Sequence, residues 1–290
     1  YKNLKGKSVI LPILNREIKI IYDSLVDPKF GTGIVKVTPA HDLNDFEMGN
    51  RHNLEPILVM HPDGTMNHNA GKFEGLDRFK CREEILKDLE NMGLLEKTVE
   101  HNYSVGHCYR CNTVIEPRLS KQWFVRMKPL AKKAAEAVRK GKIKFYPKRW
   151  ANVYLNWIDN IRDWCISRQI WWGHRLPVYY CKKCMEIGSL NSNLKSQNSK
   201  LEDKGIIVSK TKPEKCPDCG SPDLVQDDDV LDTWFSSWLW PFSTFDWPNL
   251  ERDFTFFYPT TALVTAQEII FFWVARMVMA SQGFIGEVPF

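Results

Sequence analysis

Six of the eight cysteines stand in Cys-x-x-Cys pairs, a spacing that lets two thiolates bind one metal ion. The chain shows no secretory signal, so we interpret the pairs as metal ligands rather than disulfides. Two of the pairs are flanked by turn-forming residues and together offer four soft ligands. They predict a zinc ribbon whose zinc ion is structural, because no coordination position is left for water. The predicted ligands are Cys181, Cys184, Cys216 and Cys219.

The remaining pair, Cys108 and Cys111, has no second pair near it in the sequence. A structural zinc ion needs four ligands, so we interpret this pair as half of a site. The two unpaired cysteines, Cys81 and Cys165, are expected to be ordinary buried thiols.

A cluster of charged residues follows the glycine-rich segment that begins at Phe30. The residues from Ile34 to Thr38 are typical of a strand, which would carry Lys36 and lead into a loop with Asp42 and Asp45. Two carboxylates near a lysine suit a ligand that has an ammonium and a hydroxyl group. The alternative is that Asp42 only caps the helix that follows.

Aromatic side chains are concentrated between Asn156 and Pro177. In the second half of this stretch, Trp171 and Trp172 stand beside Gly173, a residue that lets backbone or ligand come close. In the first half the large apolar residues have helical spacing, which predicts a buried helix face running into a strand. These residues are Trp157, Ile158, Ile161 and Trp164.

The net charge of the 290 residues is +5, which by itself says little about partners. Between Arg118 and Arg149, however, twelve Lys or Arg residues stand against a single acid, Glu136. Such a concentration suits either a phosphate-rich partner or a solvated helix face. The apolar run from Glu268 to Ala280 is too short to span a bilayer and contains Arg276, so it predicts a buried helix. We expect a cytoplasmic protein.

Periodicity and turn residues predict the main elements. A hairpin is expected with its turn at Asn15-Arg16, and Asp232 is expected to cap an aromatic-rich helix. A buried strand, Thr261 to Thr265, should lead through a turn into a helix, as in the second half of a nucleotide-binding sheet. The polar run from Ser189 to Lys204 predicts a mobile loop. Two further helices are predicted over residues 81–92 and 129–140.

Three segments, RQIWWGHRLP, LDTWFSS and IIFFWVARM, resemble the class I aminoacyl-tRNA synthetases for branched aliphatic amino acids. The double tryptophan favours the valine-specific branch. The resemblance covers the whole chain except the polar run. It implies an α/β fold: part of a Rossmann-type class I catalytic domain with an inserted β-barrel editing domain and a zinc ribbon.

By this resemblance, residues 1–103 are the C-terminal part of the editing domain, and residues 104–180 return to the catalytic domain with a basic helix. Residues 181–225 are the zinc ribbon, and residues 226–290 are the second half of the catalytic domain. The chain begins without methionine, and we expect an internal fragment. The partner pair of the half-site would lie upstream.

The resemblance also implies roles for single residues. Trp172, Val230 and Trp234 would form a slot for the valine side chain, and Asp229 would bind its ammonium group. In the editing site, Asp45 would hold the α-amino group of a misattached amino acid. Ala266 and Glu268 stand where the family has Gly-x-Asp for the ATP ribose. The other implied editing residues are Lys36 and Asp42, which would read the threonine hydroxyl, and Phe30, which would line the pocket.

The implied activity is activation of valine with ATP and magnesium, transfer to tRNA(Val), and hydrolysis of threonyl-tRNA by a monomeric enzyme. Neither a His-Ile-Gly-His nor a Lys-Met-Ser-Lys-Ser motif is present, so we expect the chain alone to form no adenylate. One alternative is a fragment of an isoleucyl or leucyl enzyme. Another is a non-catalytic zinc-ribbon module that binds RNA, which leaves the acidic loop and the tryptophan pair unexplained.

Overall fold

A computed structural model of the chain describes residues 2–100, 102–191, 204–249 and 252–290, without the side chains of residues 2 and 187–191. The chain divides into two compact units, Tyr1–Lys121 and Gln122–Phe290. The division falls 18 residues after the boundary at residue 103 that the resemblance implied.

The first unit opens with the predicted hairpin. Strand β1 (Ser8–Leu11) pairs antiparallel with β2 (Arg16–Lys19), and Asn15 in the turn has a positive φ of 50°. Helix α1 (Leu43–His52) follows the acidic loop, and helix α2 (Arg78–Asn91) begins three residues before the predicted start. Short 3-10 helices cover Lys2–Leu4 and His68–Phe73.

A small apolar core holds the first unit together. Met66, Ala70 and Phe73 pack with Cys81, the first buried residue of α2. This confirms the prediction for Cys81, and burial raises the pKa of its thiol.

The strand predicted from Ile34 to Thr38 is wrong. These residues form no ladder with any described residue, and Ile34 is 64% exposed. Strand-forming residues gain their stability from lateral partners, and the sequence of one segment cannot show whether a partner is present. The hairpin β1–β2 is the one sheet in the described part of this unit, which therefore displays no barrel.

The second unit contains more helix than sheet. Its first strands are β3 (Phe124–Val125), β4 (Trp164–Cys165), β5 (Ser167–Arg168) and β6 (Val178–Cys181). The later strands are β7 (Ile206–Val208), β8 (Leu224–Gln226) and β9 (Val230–Leu231). Its helices are α3 (Met127–Arg139), α4 (Arg149–Asp159), α5 (Lys182–Asn191), α6 (Thr233–Ser237), α7 (Trp240–Ser243), α8 (Arg252–Phe257) and α9 (Ala275–Phe284). The pairs β3–β4 and β5–β9 and the sheet β7-β6-β8 are all antiparallel.

Helices α3, α4 and α9 enclose the core of the second unit. α3 turns its alanines inward, including Ala131, Ala134 and Ala135, and packs against both other helices. A Cβ added to Gly283 of α9 would lie 3.2 Å from Leu130 Cδ2, so the small residues permit this close packing. α3 starts two residues before the predicted Pro129, and it ends before Gly141 as expected.

The predicted buried helix face around Ile158 is confirmed, but the helix is shorter than predicted. α4 ends at Asp159, so Ile161 and Trp164 are buried in the segment after the helix, with Trp164 on β4. The predicted buried helix near residue 275 is also confirmed, since the side chains of Met277 and Met279 are almost fully buried. A 3-10 turn, Gln267–Ile269, and a π-helical turn, Ile270–Val274, precede it.

The buried strand predicted from Thr261 to Thr265 is wrong. The segment has no partner strand among the described residues, and Val264 is 95% exposed. The predicted mobile loop falls mainly on residues 192–203, which lie outside the described residues, while Ser189–Asn191 complete α5.

The buried carboxylate of Asp232 joins three elements of this unit. It accepts hydrogen bonds from Trp164 Nε1 (3.0 Å), from Arg168 Nη2 (2.6 Å) and from the backbone N–H of Trp234 (3.1 Å). The expected cap of α6 is thus confirmed, and the same side chain also fixes β4 and β5.

We predict that Asp232→Ala lowers the free energy of unfolding by roughly 2–4 kcal/mol, since charged hydrogen bonds contribute about 1.5–3 kcal/mol each. Urea unfolding followed by tryptophan fluorescence measures the effect. Asp228→Ala is the matched control, because its side chain is 98% exposed. Equal midpoints for the two variants would contradict the assigned role of Asp232.

Candidate functional site

The tryptophan pair stands at the tip of a loop. The loop begins after β5, which pairs with β9, and it returns to β9 at its end. Ser167 pairs with Leu231 and Arg168 with Val230, and the loop returns through a bridge between Arg175 and Val230. A Cβ added to Gly173 would lie 2.7 Å from Val230 Cγ2. The glycine therefore allows the loop tip to contact β9 directly.

The three residues predicted to form the apolar slot differ in exposure. Val230 is buried beneath Gly173 and Trp234 is half-buried, whereas Trp172 is 91% exposed. The described residues thus do not enclose the ring of Trp172, and the slot stays a prediction. Trp234 also faces Phe272, with ring centroids 6.4 Å apart. Phe272 was not predicted as a site residue, although it lies in the IIFFWVARM segment.

Asp229 directly precedes β9 and is held by side-chain hydrogen bonding. Its Oδ2 accepts a hydrogen bond from Gln169 Nε2 at 2.7 Å. The same nitrogen donates to Gln122 Oε1 at 3.0 Å, and Gln122 Oε1 also accepts from Ser167 Oγ at 2.7 Å. Gln169 and Gln122 were missed by the sequence analysis, although Gln169 directly precedes the tryptophan loop.

Asp227, two residues before Asp229, bonds to the cysteine-bearing strand. Tyr180 Oη on β6 donates to Asp227 Oδ2 at 2.7 Å. Burial and this hydrogen bond raise the pKa of Tyr180 to about 12, so the hydroxyl keeps its proton at neutral pH.

The four residues of the implied editing site lie in the loop before α1. Asp42 Oδ1 accepts from the backbone N–H groups of Asn44 (2.8 Å) and Asp45 (3.0 Å), which confirms the helix cap. Asp45 Oδ2 accepts from the N–H of Thr38 (2.6 Å), and Lys36 Nζ donates to Thr38 Oγ1 (2.9 Å).

Phe30, the fourth of these residues, is exposed. The geometry therefore places Lys36 and Asp45 around Thr38 and gives Asp42 a structural role. The binding of a hydroxyl by Asp42 stays a prediction.

A histidine of this loop, His41, to which no role was assigned from the sequence, supports it. His41 Nε2 accepts from the N–H of Val59 at 3.1 Å, so its Nδ1 carries the proton and donates to the carbonyl of Pro117 at 3.0 Å. Its position beside Asp42 was the available signal.

The residues suggested for the ATP ribose lie at the start of the 3-10 turn. Ala266 precedes Gln267–Ile269, and both Ala266 and Glu268 are exposed. Because no described strand leads into this turn, only the turn and the helix of the predicted motif are observed.

The four predicted metal ligands come together at one end of the β7-β6-β8 sheet. Their sulfur atoms all lie within 4.8 Å of one another, so the group could hold a metal ion. Gly205 has a positive φ of 81°, and a Cβ there would lie 2.5 Å from the Cβ of Cys184. The cluster combines Cys181 at the end of β6, Cys184 in α5, and Cys216 and Cys219 in a turn before β8.

Cys108 and Cys111 form a tight turn. The N–H of Cys108 donates to the Thr113 carbonyl at 2.8 Å, and the Cys108 carbonyl accepts from Asn112 at 2.8 Å. Hydrogen bonds with Thr113 are the main cause that lowers the pKa of the Cys111 thiol. No third ligand joins the pair among the described residues, and the half-site stays a prediction. Cys165 is only half-buried, so its predicted burial holds in part.

Residues 15–290 match the family model of tRNA synthetases class I (I, L, M and V). The chain belongs to this class I tRNA synthetase family. It is 55% identical to the valine–tRNA ligase of Carboxydothermus hydrogenoformans and 56% identical to that of Thermotoga maritima, in each case over all 290 residues. Against the valine–tRNA ligase of Clostridium tetani the identity is 52% over the same length.

Each of these matches takes in 100% of this chain and 31% of the relative, so the chain spans about a third of the length of these class I synthetases. Membership in the family assigns a Rossmann-like α/β class, although the described residues show only antiparallel pairs. None of the described helices has both the length and the apolar character needed to cross a membrane.

We predict that the cysteine cluster of this class I synthetase chain binds one metal ion. Cys184→Ser should lose the ion because a three-thiolate site binds more weakly, and its unfolding midpoint should fall, since metal binding stabilises the folded state. Elemental analysis after purification without chelator gives the stoichiometry. The control, Cys165→Ser, lies outside the cluster and should retain the metal. A wild-type chain without metal would contradict the site.

Proposed function

We propose that this chain is part of a valine–tRNA ligase that activates valine with ATP and transfers it to tRNA(Val). The observation that carries the proposal is the pairing of β5 with β9, which brings Gly173, Val230 and Asp229 to one edge. The names of the relatives favour valine over the isoleucine and leucine alternatives, although the family model includes all three.

In the proposed site, Val230 and Trp234 form the floor of the valine pocket and the exposed ring of Trp172 closes over the substrate. The carboxylate of Asp229 accepts hydrogen bonds from the ammonium group of the substrate. Gln169 orients one oxygen of this carboxylate. A carboxylate suits this task because an ammonium group has only donors.

ATP, bound with magnesium, would be the second substrate at this unit. Glu268 offers a carboxylate to a ribose hydroxyl, whereas Ala266 permits a less close approach than the glycine of the family pattern. The exposed position of both residues is compatible with a ligand there.

The editing proposal follows from a limit of the valine pocket. An apolar slot cannot strongly reject threonine, which has nearly the shape of valine, and this limit is known from valine-specific synthetases themselves. A second site must therefore recognise the hydroxyl. Asp42 uses only Oδ1 for the helix cap, and its other oxygen can accept a hydroxyl proton while Lys36 donates. Asp45 would take the α-ammonium, and Phe30 would line the pocket.

Zinc is the metal that best suits the cysteine cluster. A tetrahedron with metal–sulfur distances of about 2.3 Å has sulfur–sulfur edges of about 3.8 Å. Two edges of the cluster measure 3.5 Å (Cys181–Cys219) and 3.9 Å (Cys184–Cys216). With four protein ligands the zinc would stabilise the ribbon and take no part in the reaction.

The proposed activity is tested on the full-length enzyme by valine-dependent exchange of pyrophosphate into ATP. Valine should support exchange far better than isoleucine or leucine, and tRNA(Val) should be charged. Faster exchange with isoleucine or leucine would contradict the proposal.

The pocket is tested with Trp172→Ala. The larger slot should raise the ratio of isoleucine to valine exchange, by up to the ~1–3 kcal/mol that one methylene contributes. Trp171→Ala is the matched control, because its ring is fully exposed and has no assigned contact with the substrate. If the two variants discriminate equally, Trp172 does not line the pocket.

The editing site is tested with Asp42→Asn in the full-length enzyme. Asparagine caps a helix about as well as aspartate, so α1 should keep its stability while deacylation of threonyl-tRNA falls about tenfold through loss of a charged hydrogen bond. Asp63→Asn changes another turn acid of the same unit and should leave deacylation unchanged. An undiminished rate in Asp42→Asn would leave Asp42 with the capping role alone.

A further inference from the structure

Asp227 stands between the cysteine-bearing sheet and the acid that is assigned to the substrate ammonium. Its Oδ2 accepts from Tyr180 Oη at 2.7 Å and from Trp123 Nε1 at 3.3 Å. Its Oδ1 accepts from the backbone N–H of Asp229 at 2.9 Å. One carboxylate thus connects β6 and the segment before β3 to the backbone of Asp229.

The main chain of Asp227 is bonded as well. Its N–H donates to the carbonyl of Val178 on β6 at 2.9 Å, and its carbonyl accepts from Arg175 Nη2 at 2.8 Å. Since both backbone groups and both carboxylate oxygens have partners, the position of Asp227 is fixed from several directions.

Asp229 is therefore held at two points. Asp227 fixes its backbone N–H, and Gln169 holds its Oδ2 at 2.7 Å. The neighbouring Asp228 has no such support: its side chain is exposed, and its ion pair with Arg175 measures 3.4 Å.

We propose that Asp227, anchored by Tyr180 and Trp123, is a positioning residue that orients Asp229 toward the ammonium group of the amino-acid substrate. Asp227 does not itself touch the substrate. The inference rests on the proposed function, in which Asp229 binds that ammonium. It adds that the orientation of Asp229 depends on the edge of the cysteine-bearing sheet.

The test uses the full-length enzyme and measures KM for valine and kcat in ATP–pyrophosphate exchange. Asp227→Ala should raise KM about tenfold or more, because the oriented charged contact is lost. Asp227→Asn keeps an oxygen for the Asp229 N–H and should restore KM to within about threefold of wild type. Tyr180→Phe removes only the anchoring hydroxyl and should give an intermediate KM. Asp228→Ala, the control, should match wild type.

A second measurement separates positioning of the ammonium site from a general loss of structure. Valinol carries the amine, whereas 2-hydroxyisovalerate has a hydroxyl in its place. In Asp227→Ala the inhibition constant of valinol should rise in parallel with KM for valine, and that of the hydroxy acid should stay within about twofold of wild type. Equal losses for both inhibitors, or no change for either, would overturn the positioning role.

The outcomes also separate this inference from the proposed function. An active wild-type enzyme with an unaffected Asp227→Ala variant contradicts the inference alone. A wild-type enzyme that does not activate valine contradicts the proposed function and this inference with it.

Discussion

The second unit depends on one buried carboxylate. Asp232 receives the indole N–H of Trp164, the guanidinium of Arg168 and a backbone N–H of α6. The guanidinium of Arg276 from α9 lies over the ring of Trp164, 4.2 Å from the ring centroid. Burial lowers the pKa of Arg276, and the nearby negative charge of Asp232 opposes this effect. A carboxylate in this position stabilises two cations and a helix start at once, so strands, α6 and α9 share one electrostatic centre.

Local signals in the sequence predicted much of the fold. The glycine after the end of α3 and the aspartate caps of α1 and α6 act within a few residues, and all of them are observed. The strands predicted from Ile34 and from Thr261 were wrong, because strand formation does not depend on local signals alone. Their composition is that of strands, but a strand forms only with a partner that lies elsewhere in the chain. The described residues supply no such partner for either segment.

The same distinction holds for the candidate site. The cysteine cluster followed from spacing, because each Cys-x-x-Cys pair fixes two ligands within one turn. The contacts that hold Asp229 did not follow from spacing, because Gln169 and Asp229 are 60 residues apart and Trp123 and Asp227 are 104 apart. A glutamine in a sequence shows only that it can donate and accept. Which carboxylate it meets is decided by the pairing of β5 with β9.

The pairing of β5 with β9 also explains why the backbone of the loop is held in place while the side chains at its tip are exposed. Gly173 lies so close to Val230 that a Cβ would overlap its methyl groups, and hydrogen bonds from Leu231 to His174 and from Leu176 to Asp229 close the loop behind it. The rings of Trp171 and Trp172 nevertheless extend into solvent. When an exposed indole ring covers an apolar ligand, the free energy falls, because burial of an aromatic side chain is favourable. In the proposed site, a fixed glycine beside an exposed tryptophan therefore suits a pocket that closes around the substrate, with the carboxylate of Asp229 at its edge.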